Sequence, residues 1–333
     1  MIAFDHNPIH IVMTPVRNEA WVLRAFLEST SKWADYIIIA DQMSTDGSRE
    51  IAQSYEKVIL IDNSNSDFNE PERQAMLIAK AREVAAGRDT LLWGLDADEI
   101  LAANFQETRD WKHILNSVPG DVFWFKWAEI CPDKKHYWIS PKTYYPWLFH
   151  DDGKEPHGNY VRNMHSMRIP YPIEEKNMFF VDDFRVLHLA YLNEYRTEAK
   201  RRFYTFIDWE MNNKAPVSLA RAYSQTKKKD TVWELNDSFI YSEEKDGFSL
   251  WDLIDTEGRS FWFDEYIINH FANHSTSETR KLPLWDEEFL TQYNLKDPRH
   301  GIDKLVHKYL KYSKDREEEA MFKCFDKVLK RLY

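Results

Sequence analysis

Four short apolar runs set the first hundred residues: His10 to Thr14, Tyr36 to Ala40, Val58 to Ile61 and Leu91 to Leu95. Between them the pattern changes period. Ala20 to Thr30 places Val22, Leu23, Phe26 and Leu27 at helical spacing, Ser48 to Tyr55 reads as a short helix, and Glu72 to Ala86 reads as a longer one with Gly87 as its C-cap. Continuous apolar runs are strands buried on both faces, and strands alternating with helices form a mainly parallel sheet. The expected class is α/β, a mainly parallel central sheet flanked by helices.

In such a sheet ligands bind beyond the C-terminal ends of the strands. Three of those ends carry acids: Glu19 in the loop Pro15 to Glu19, Asp41 with Asp46, and Asp96 with Asp98. Asp96-Ala97-Asp98-Glu99 follows its strand directly. Two aspartates one residue apart can share one hard cation, or divide the work between cation and ribose. Magnesium and manganese want oxygen ligands and complete their shells with substrate phosphates. An isolated Asp-x-Asp would often be a capped turn, and Glu19 could simply favour a helix N-terminus. The convergence of three such loops favours a metal–nucleotide site.

The order and placement of Pro15-Val16-Arg17-Asn18-Glu19, Asp41-Gln42-Met43-Ser44-Thr45-Asp46-Gly47-Ser48 and Leu95-Asp96-Ala97-Asp98-Glu99 resemble a family 2 glycosyltransferase of the GT-A (nucleotide-diphospho-sugar transferase) fold. The clear match runs from about residue 8 to 105. A looser one, through Trp147-Leu148-Phe149 and Val186-Leu187-His188-Leu189, reaches about residue 210. The resemblance implies that Pro15, Asn18, Glu19 and Asp41 hold the base and ribose of a sugar nucleotide, with Arg73 near the base. Asp96 would face ribose or metal, and Asp98 would ligate Mg2+ or Mn2+ on the diphosphate. His188 would add a metal or phosphate contact; a lone histidine is otherwise a hydrogen-bonded core residue. Gln42-Met43 replaces the acidic-glycine pair common in the family.

The implied reaction is transfer of a sugar from a nucleotide-sugar donor to a glycan or lipid-linked saccharide acceptor, as in polysaccharide biosynthesis. An acceptor hydroxyl attacks opposite the leaving diphosphate, and a carboxylate takes its proton. Candidates for that base are Glu155, Glu174, Glu175, Asp182 and Asp183. Met164-His165-Ser166 lacks the acid of the family's His-Glu pair, and His165 is a substitute. Two alternatives use the same residues differently. One is a non-catalytic relative that binds sugar nucleotide or glycan. The other is a haloacid-dehalogenase-like phosphohydrolase, with Asp-x-Asp and the later pair Asp182-Asp183. Ile100 stands where that class carries Thr or Val.

Charge and composition narrow the partners. A net charge of −11 disfavours nucleic acid, which calls for a basic face. No apolar run is long enough to span a membrane, and no signal peptide is read at the N-terminus; peripheral membrane association stays open. Cys131 and Cys324 are the two cysteines, which suits a reducing, cytoplasmic setting. No Gly-x-Gly-x-x-Gly or P-loop pattern occurs among the nine glycines.

The rest of the chain is less patterned. Val122 to Trp127 reads as a strand, and strands at Met178 to Val181 and Phe184 to Leu187 flank Asp182-Asp183. Trp138, Tyr144, Tyr145 and Trp147 fill a core or stack on a sugar. Glu194 to Trp209 reads as a helix whose Lys200, Arg201 and Arg202 face either solvent or a diphosphate. Helical spacing recurs at Val217 to Tyr223, Phe261 to Phe271 and Lys304 to Tyr333. In the last of these, Met321, Phe322, Phe325, Val328 and Leu329 form a stripe expected to pack. The expected division is a catalytic domain over residues 1–215 and a mostly helical accessory region over 216–333.

Overall fold

The computed structural model describes residues 7–65, 68–140, 143–154, 166–170, 177–223, 232–314, 316 and 319–333. In chain order the elements are β1 Ile9–Val16, α1 Ala20–Thr30, β2 Tyr36–Asp41, α2 Ser48–Gln53, β3 Val58–Asp62, α3 Glu70–Ala85, β4 Thr90–Gly94, β5 Glu99–Leu101, α4 Arg109–Leu115, β6 Val122–Phe125, β7 Trp127–Ile130, β8 His136–Trp138, β9 Tyr145–His150, β10 Met178–Phe180, β11 Val186–His188, α5 Glu194–Asn212, α6 Pro216–Tyr223, β12 Val232–Glu234, α7 Glu243–Asp246, α8 Trp262–Asn273, α9 Glu287–Gln292, α10 Gly301–Tyr312 and α11 Ala320–Leu332. They fall into two compact units: residues 1–192 with 232–257, and residues 193–231 with 258–333. The position 215/216 falls inside the second unit, between α5 and α6.

The first unit is mixed α/β. Its larger sheet has the order β10-β6-β9-β4-β1-β2-β3. β4, β1, β2 and β3 are parallel, and β9 runs antiparallel between β4 and β6. Both faces are covered, which is why the strands read as unbroken apolar runs. Val12, Ile37, Ile39, Leu91 and Trp93 pack with α1 on one face. Ile11, Met13, Ile38, Ala40 and Leu92 pack with Leu77, Ile78 and Ala81 of α3 on the other.

β1 continues through Pro15, one of the residues assigned to the first loop. Opposite Met13 β4 has reached its last residue, Gly94, so beyond this point β1 pairs with β2 alone. A residue without an N–H loses no ladder bond on the vacated side. α3 ends in Ala86, left-handed at φ 51°, ahead of Gly87 at φ 78°, so the C-cap lies one residue before the expected glycine.

Of a second sheet of five short strands, β12-β8-β7-β11-β5, the sequence pattern shows only part of β11, within Phe184 to Leu187. β11 pairs antiparallel with β5 and parallel with β7, which aligns His188 with both Glu99 and Glu129. Three charged residues thus stand side by side across three strands.

The second unit is mostly helical. Arg202 of α5 grips Asp264 of α8 with two bonds of 2.8 and 2.7 Å and reaches Asp286 at 3.1 Å. Arg201 bonds Glu198 at 2.7 Å. These two basic residues are therefore engaged in ion pairs within their own unit. The stretch from Lys304 to Tyr333, read as helical in spacing, holds the end of α10, which stops at Tyr312, and α11, which starts at Ala320. The expected stripe also divides: Phe322 is buried and Leu329 packs inward, while Met321, Phe325 and Val328 are exposed. Among the described residues no helix is long and apolar enough to cross a membrane.

Candidate active site

The loops after β1 and β2 are clasped by their polar side chains. Asn18 takes a left-handed φ of 54°; its N–H donates to Ser44 Oγ at 2.9 Å, and its Oδ1 accepts from the Thr45 N–H at 2.7 Å. The Glu19 N–H donates to Ser48 Oγ at 2.8 Å and the Ala20 N–H to Asp46 Oδ2 at 2.9 Å. Asp46 and Ser48 thereby satisfy the exposed donors at the start of α1, a role a cap normally fills from its own helix. Glu19 does not cap with its side chain; its Oε2 accepts from Trp21 Nε1 at 2.6 Å.

Asp41 ends β2 as a buried carboxylate. Its Oδ2 accepts from Arg49 at 3.1 Å, and Arg49 also pairs with Asp62 at 2.6 Å. Asp41 Oδ1 is buried with no hydrogen-bond partner among the described residues, and so is Arg73 Nε on α3. Each such atom costs about 1–3 kcal/mol unless something pairs with it.

Beyond β4 the chain turns tightly, with the Glu99 N–H donating to the Asp96 carbonyl at 3.0 Å. The Asp96 N–H in turn donates to Glu99 Oε2 at 3.0 Å. Arg168, from the segment 166–170, bridges the pair: 2.5 Å to Asp96 Oδ2 and 2.5 Å to Glu99 Oε2. It can do so because β4 ends in glycine. A Cβ at Gly94 would lie 2.6 Å from Arg168 Cβ and 2.9 Å from its carbonyl oxygen. Glu99 is fully buried and also accepts from Trp127 Nε1 at 2.9 Å. Burial, the largest cause, holds its pKa above the ordinary carboxylate range; Arg168 pulls it down and Asp96 adds to the rise.

Asp98 is buried, with its carbonyl accepting from the Leu189 N–H at 2.9 Å. Its Oδ1 stands 3.9 Å from His188 Nε2. The other ring nitrogen, Nδ1, lies 2.6 Å from Glu129 Oε2. The imidazole is stacked on Trp127, with centroids 4.4 Å apart and planes inclined by 17°. Burial alone would lower the His188 pKa, but Glu129, Asp98 and Glu99 outweigh it and the pKa is raised. The surrounding carboxylates thus favour the protonated form of the His188 ring. Among the described residues no three His, Cys, Asp or Glu side chains form a complete metal cage. The donor set suits a cation that completes its shell with substrate and water oxygens.

The structure brings Asp96, Asp98 and His188 together and adds two residues that sequence reading missed, Glu129 and Arg168. Asp182 belongs to another cluster: it accepts from Tyr144 Oη at 3.1 Å and lies 3.4 Å from Lys126 Nζ, while Asp183 pairs with Arg109. Glu155, His165, Glu174 and Glu175 lie outside the described residues. Of the aromatics, Trp138 and Trp147 are core; Tyr145 packs on Trp127 with ring centroids 3.9 Å apart.

The parallel β4-β1-β2-β3 sheet, flanked by helices and carrying acids at its strand ends, defines an α/β domain. Residues 11–108, under a third of the chain, match the model of Glycosyl transferase family 2. Comparison with curated proteins gives no match. Among solved structures, glucosyl-3-phosphoglycerate synthase from Mycobacterium tuberculosis, in complex with Mn2+, UDP and glucosyl-3-phosphoglycerate, is 18% identical over 37% of this chain and 44% of its own, with a TM-score of 0.27. GalNAc-T7 with UDP, GalNAc and Mn2+ is 15% identical over 81% of this chain and 58% of its own, with a TM-score of 0.37. HddC from Yersinia pseudotuberculosis is 11% identical over 55% and 93%, with a TM-score of 0.33. The matched region spans less than half the length of the synthase.

Proposed function

We propose that the protein transfers a sugar from a nucleoside-diphosphate sugar to a hydroxyl of a saccharide or lipid-linked acceptor, with inversion and with Mg2+ or Mn2+. The observation that carries this reading is the Glu129–His188–Asp98 arrangement beside the end of β4. Two neighbouring ligands of an octahedral ion at about 2.1 Å stand about 3 Å apart. Asp98 and His188 need close by only about an ångström from their 3.9 Å separation to reach that geometry. A carboxylate on the far nitrogen is the support that metal-binding histidines ordinarily have. When bound, the cation stabilises charge developing on the departing diphosphate.

The chain's own residues supply the rest. Asp41 Oδ1, a buried acceptor, suits an N–H of the base, and Arg73 lies on α3 as a second contact. Asp96, one-third exposed at its side chain, faces ribose. The acceptor oxygen bonds the anomeric carbon as the carbon–phosphate-oxygen bond breaks, and its proton passes to a carboxylate. The candidates for that base are Glu155, Glu174, Glu175 and the pair Asp182 and Asp183, which stand in the separate cluster with Tyr144, Lys126 and Arg109.

Calorimetry of nucleoside diphosphates with and without Mn2+ tests the reading. The wild type should bind at least one of them more tightly with metal, and Asp98→Asn should lose the metal-dependent part together with transfer. Absence of any nucleotide binding in the presence of metal overturns it; binding without turnover on any acceptor makes the protein a non-catalytic relative.

A further inference from the structure

Two helices of the second unit have more apolar surface than the unit buries. In α10, Val306 and Leu310 pack with Val217 and Ala220, and Leu329 of α11 joins them. Yet Ile302, Leu305 and Tyr312 of α10, and Met321, Phe325 and Val328 of α11, are between 49% and 69% exposed. Their spacings of three, four and seven put each set along one side of its helix. The two sides are continuous. Tyr309 has ring centroids 6.0 Å from both Phe322 and Phe325, and Tyr312 lies 6.3 Å from Phe322. A contiguous apolar strip on a protein surface marks an interaction site.

The charges beside the strip say what it meets. α10 carries Lys304, Lys308 and Lys311, all exposed; its one acid, Asp303, is buried and lies 3.3 Å from Arg280. α11 carries Lys323, Lys327, Lys330 and Arg331, again exposed; its one acid, Asp326, is buried against Arg221 at 2.7 Å. Every exposed acidic or basic side chain on the two helices is therefore positive, in a chain whose net charge is −11. Between the two helices in sequence, Arg316 pairs with Glu319 at 2.7 Å, and Asp315, Glu317 and Glu318 lie outside the described residues.

We propose that the joined outer sides of α10 and α11 seat on an anionic lipid bilayer, with the apolar strip in the headgroup–acyl boundary and the lysines on the phosphates. An amphipathic helix with Lys and Arg on its polar side lies in that plane. Each cation near such a surface adds about 1 kcal/mol. A second copy of the chain fits the strip less well, since a symmetric contact would set two basic arrays against each other.

The test uses the whole chain and vesicles of phosphatidylcholine alone or with about 30% phosphatidylglycerol, in about 0.1 M salt. The protein should co-sediment with the anionic vesicles, not with the neutral ones, and should be released by high salt. Leu305→Ser with Phe325→Ser, and separately Lys323→Glu with Lys327→Glu, should each weaken binding at least about tenfold without lowering the melting temperature. Cys324 is exposed and Cys131 buried, so a polarity-sensitive dye can be placed on α11 selectively. Its emission should shift to the blue on anionic vesicles. Equal binding to neutral vesicles, no binding at all, or binding without a dye shift overturns the proposal. So does a dimer in solution that the Leu305→Ser, Phe325→Ser variant abolishes, which would make the strip a self-association surface.

Discussion

Glu129 and His188 stand opposite each other on β7 and β11, and the 2.6 Å contact between Glu129 Oε2 and His188 Nδ1 fixes which nitrogen faces Asp98. If Nδ1 carries the proton, Nε2 offers its lone pair to whatever cation lies beside Asp98. Glu129 is thus a positioning residue. Glu129→Gln keeps the shape and loses the charge, and should weaken Mn2+-dependent binding of a nucleoside diphosphate by about 10- to 100-fold. Metal-independent nucleotide binding should stay unchanged. Calorimetry separates the two, and an unaltered metal dependence would show that His188 does not need Glu129.

β1, β2 and β4 were legible because they are buried on both faces and so carry unbroken apolar runs; β3, a half-buried edge strand, carries such a run as well. Asp96 and Asp98 were legible because they follow such a run directly. The second sheet, apart from the overlap of β11 with the run Phe184 to Leu187, was not: its strands are three or four residues long, too short for a period to show. The register that aligns Glu99, His188 and Glu129 joins residues far apart in sequence, which no local pattern reports. Glu129 did leave a trace, an acid inside the strand Trp127-Ala128-Glu129-Ile130, since a buried acid needs a partner. Arg168 left none. The stripe on α11 was read as one packed face because spacing shows which residues align, not whether the fold supplies anything to cover them.

Gly94 and Arg168 supply a second prediction. Gly94→Ala places a methyl group against backbone and Cβ of Arg168, neither of which is the yielding end of a side chain. The segment must move, drawing the guanidinium off Glu99, which is fully buried. Breaking such a pair costs as much as about 3–5 kcal/mol. Urea unfolding should show a loss of that order. Arg168→Ala already lacks the guanidinium, so the double variant should lose clearly less than the sum of the single ones. Simple additivity would mean that the glycine serves something other than this bridge.

Asp41 and Asp62 share one arginine, which separates two explanations of any Asp41 effect. Asp41→Asn should lower affinity for a nucleoside diphosphate about tenfold, the loss expected when one good buried hydrogen bond is spoiled. Asp62→Asn removes the exposed partner of Arg49 and should leave nucleotide affinity nearly unchanged. Equal losses in both variants, measured by calorimetry, would mean that Asp41 acts only by holding Arg49.

His10 makes the stability of the first unit depend on pH. Its ring is buried, stacks on Trp111 at 5.1 Å and accepts from Trp93 Nε1 through Nδ1 at 3.2 Å. Burial lowers its pKa to about 4 from the ordinary 6.5, with Asp35 pulling weakly upward. Well above pH 6.5 the ring is neutral in both folded and unfolded chains and contributes no pH dependence. Between 6.5 and 4 the unfolded chain takes a proton that the folded one refuses, so the native state loses stability as pH falls. At pH 5 the loss relative to pH 7 is about 2 kcal/mol from this group. His10→Phe should be less stable at pH 7, because Trp93 loses its acceptor, yet the difference between pH 7 and pH 5 should shrink by about that amount. Urea unfolding at the two pH values reads both effects. An unchanged difference would place the titration elsewhere.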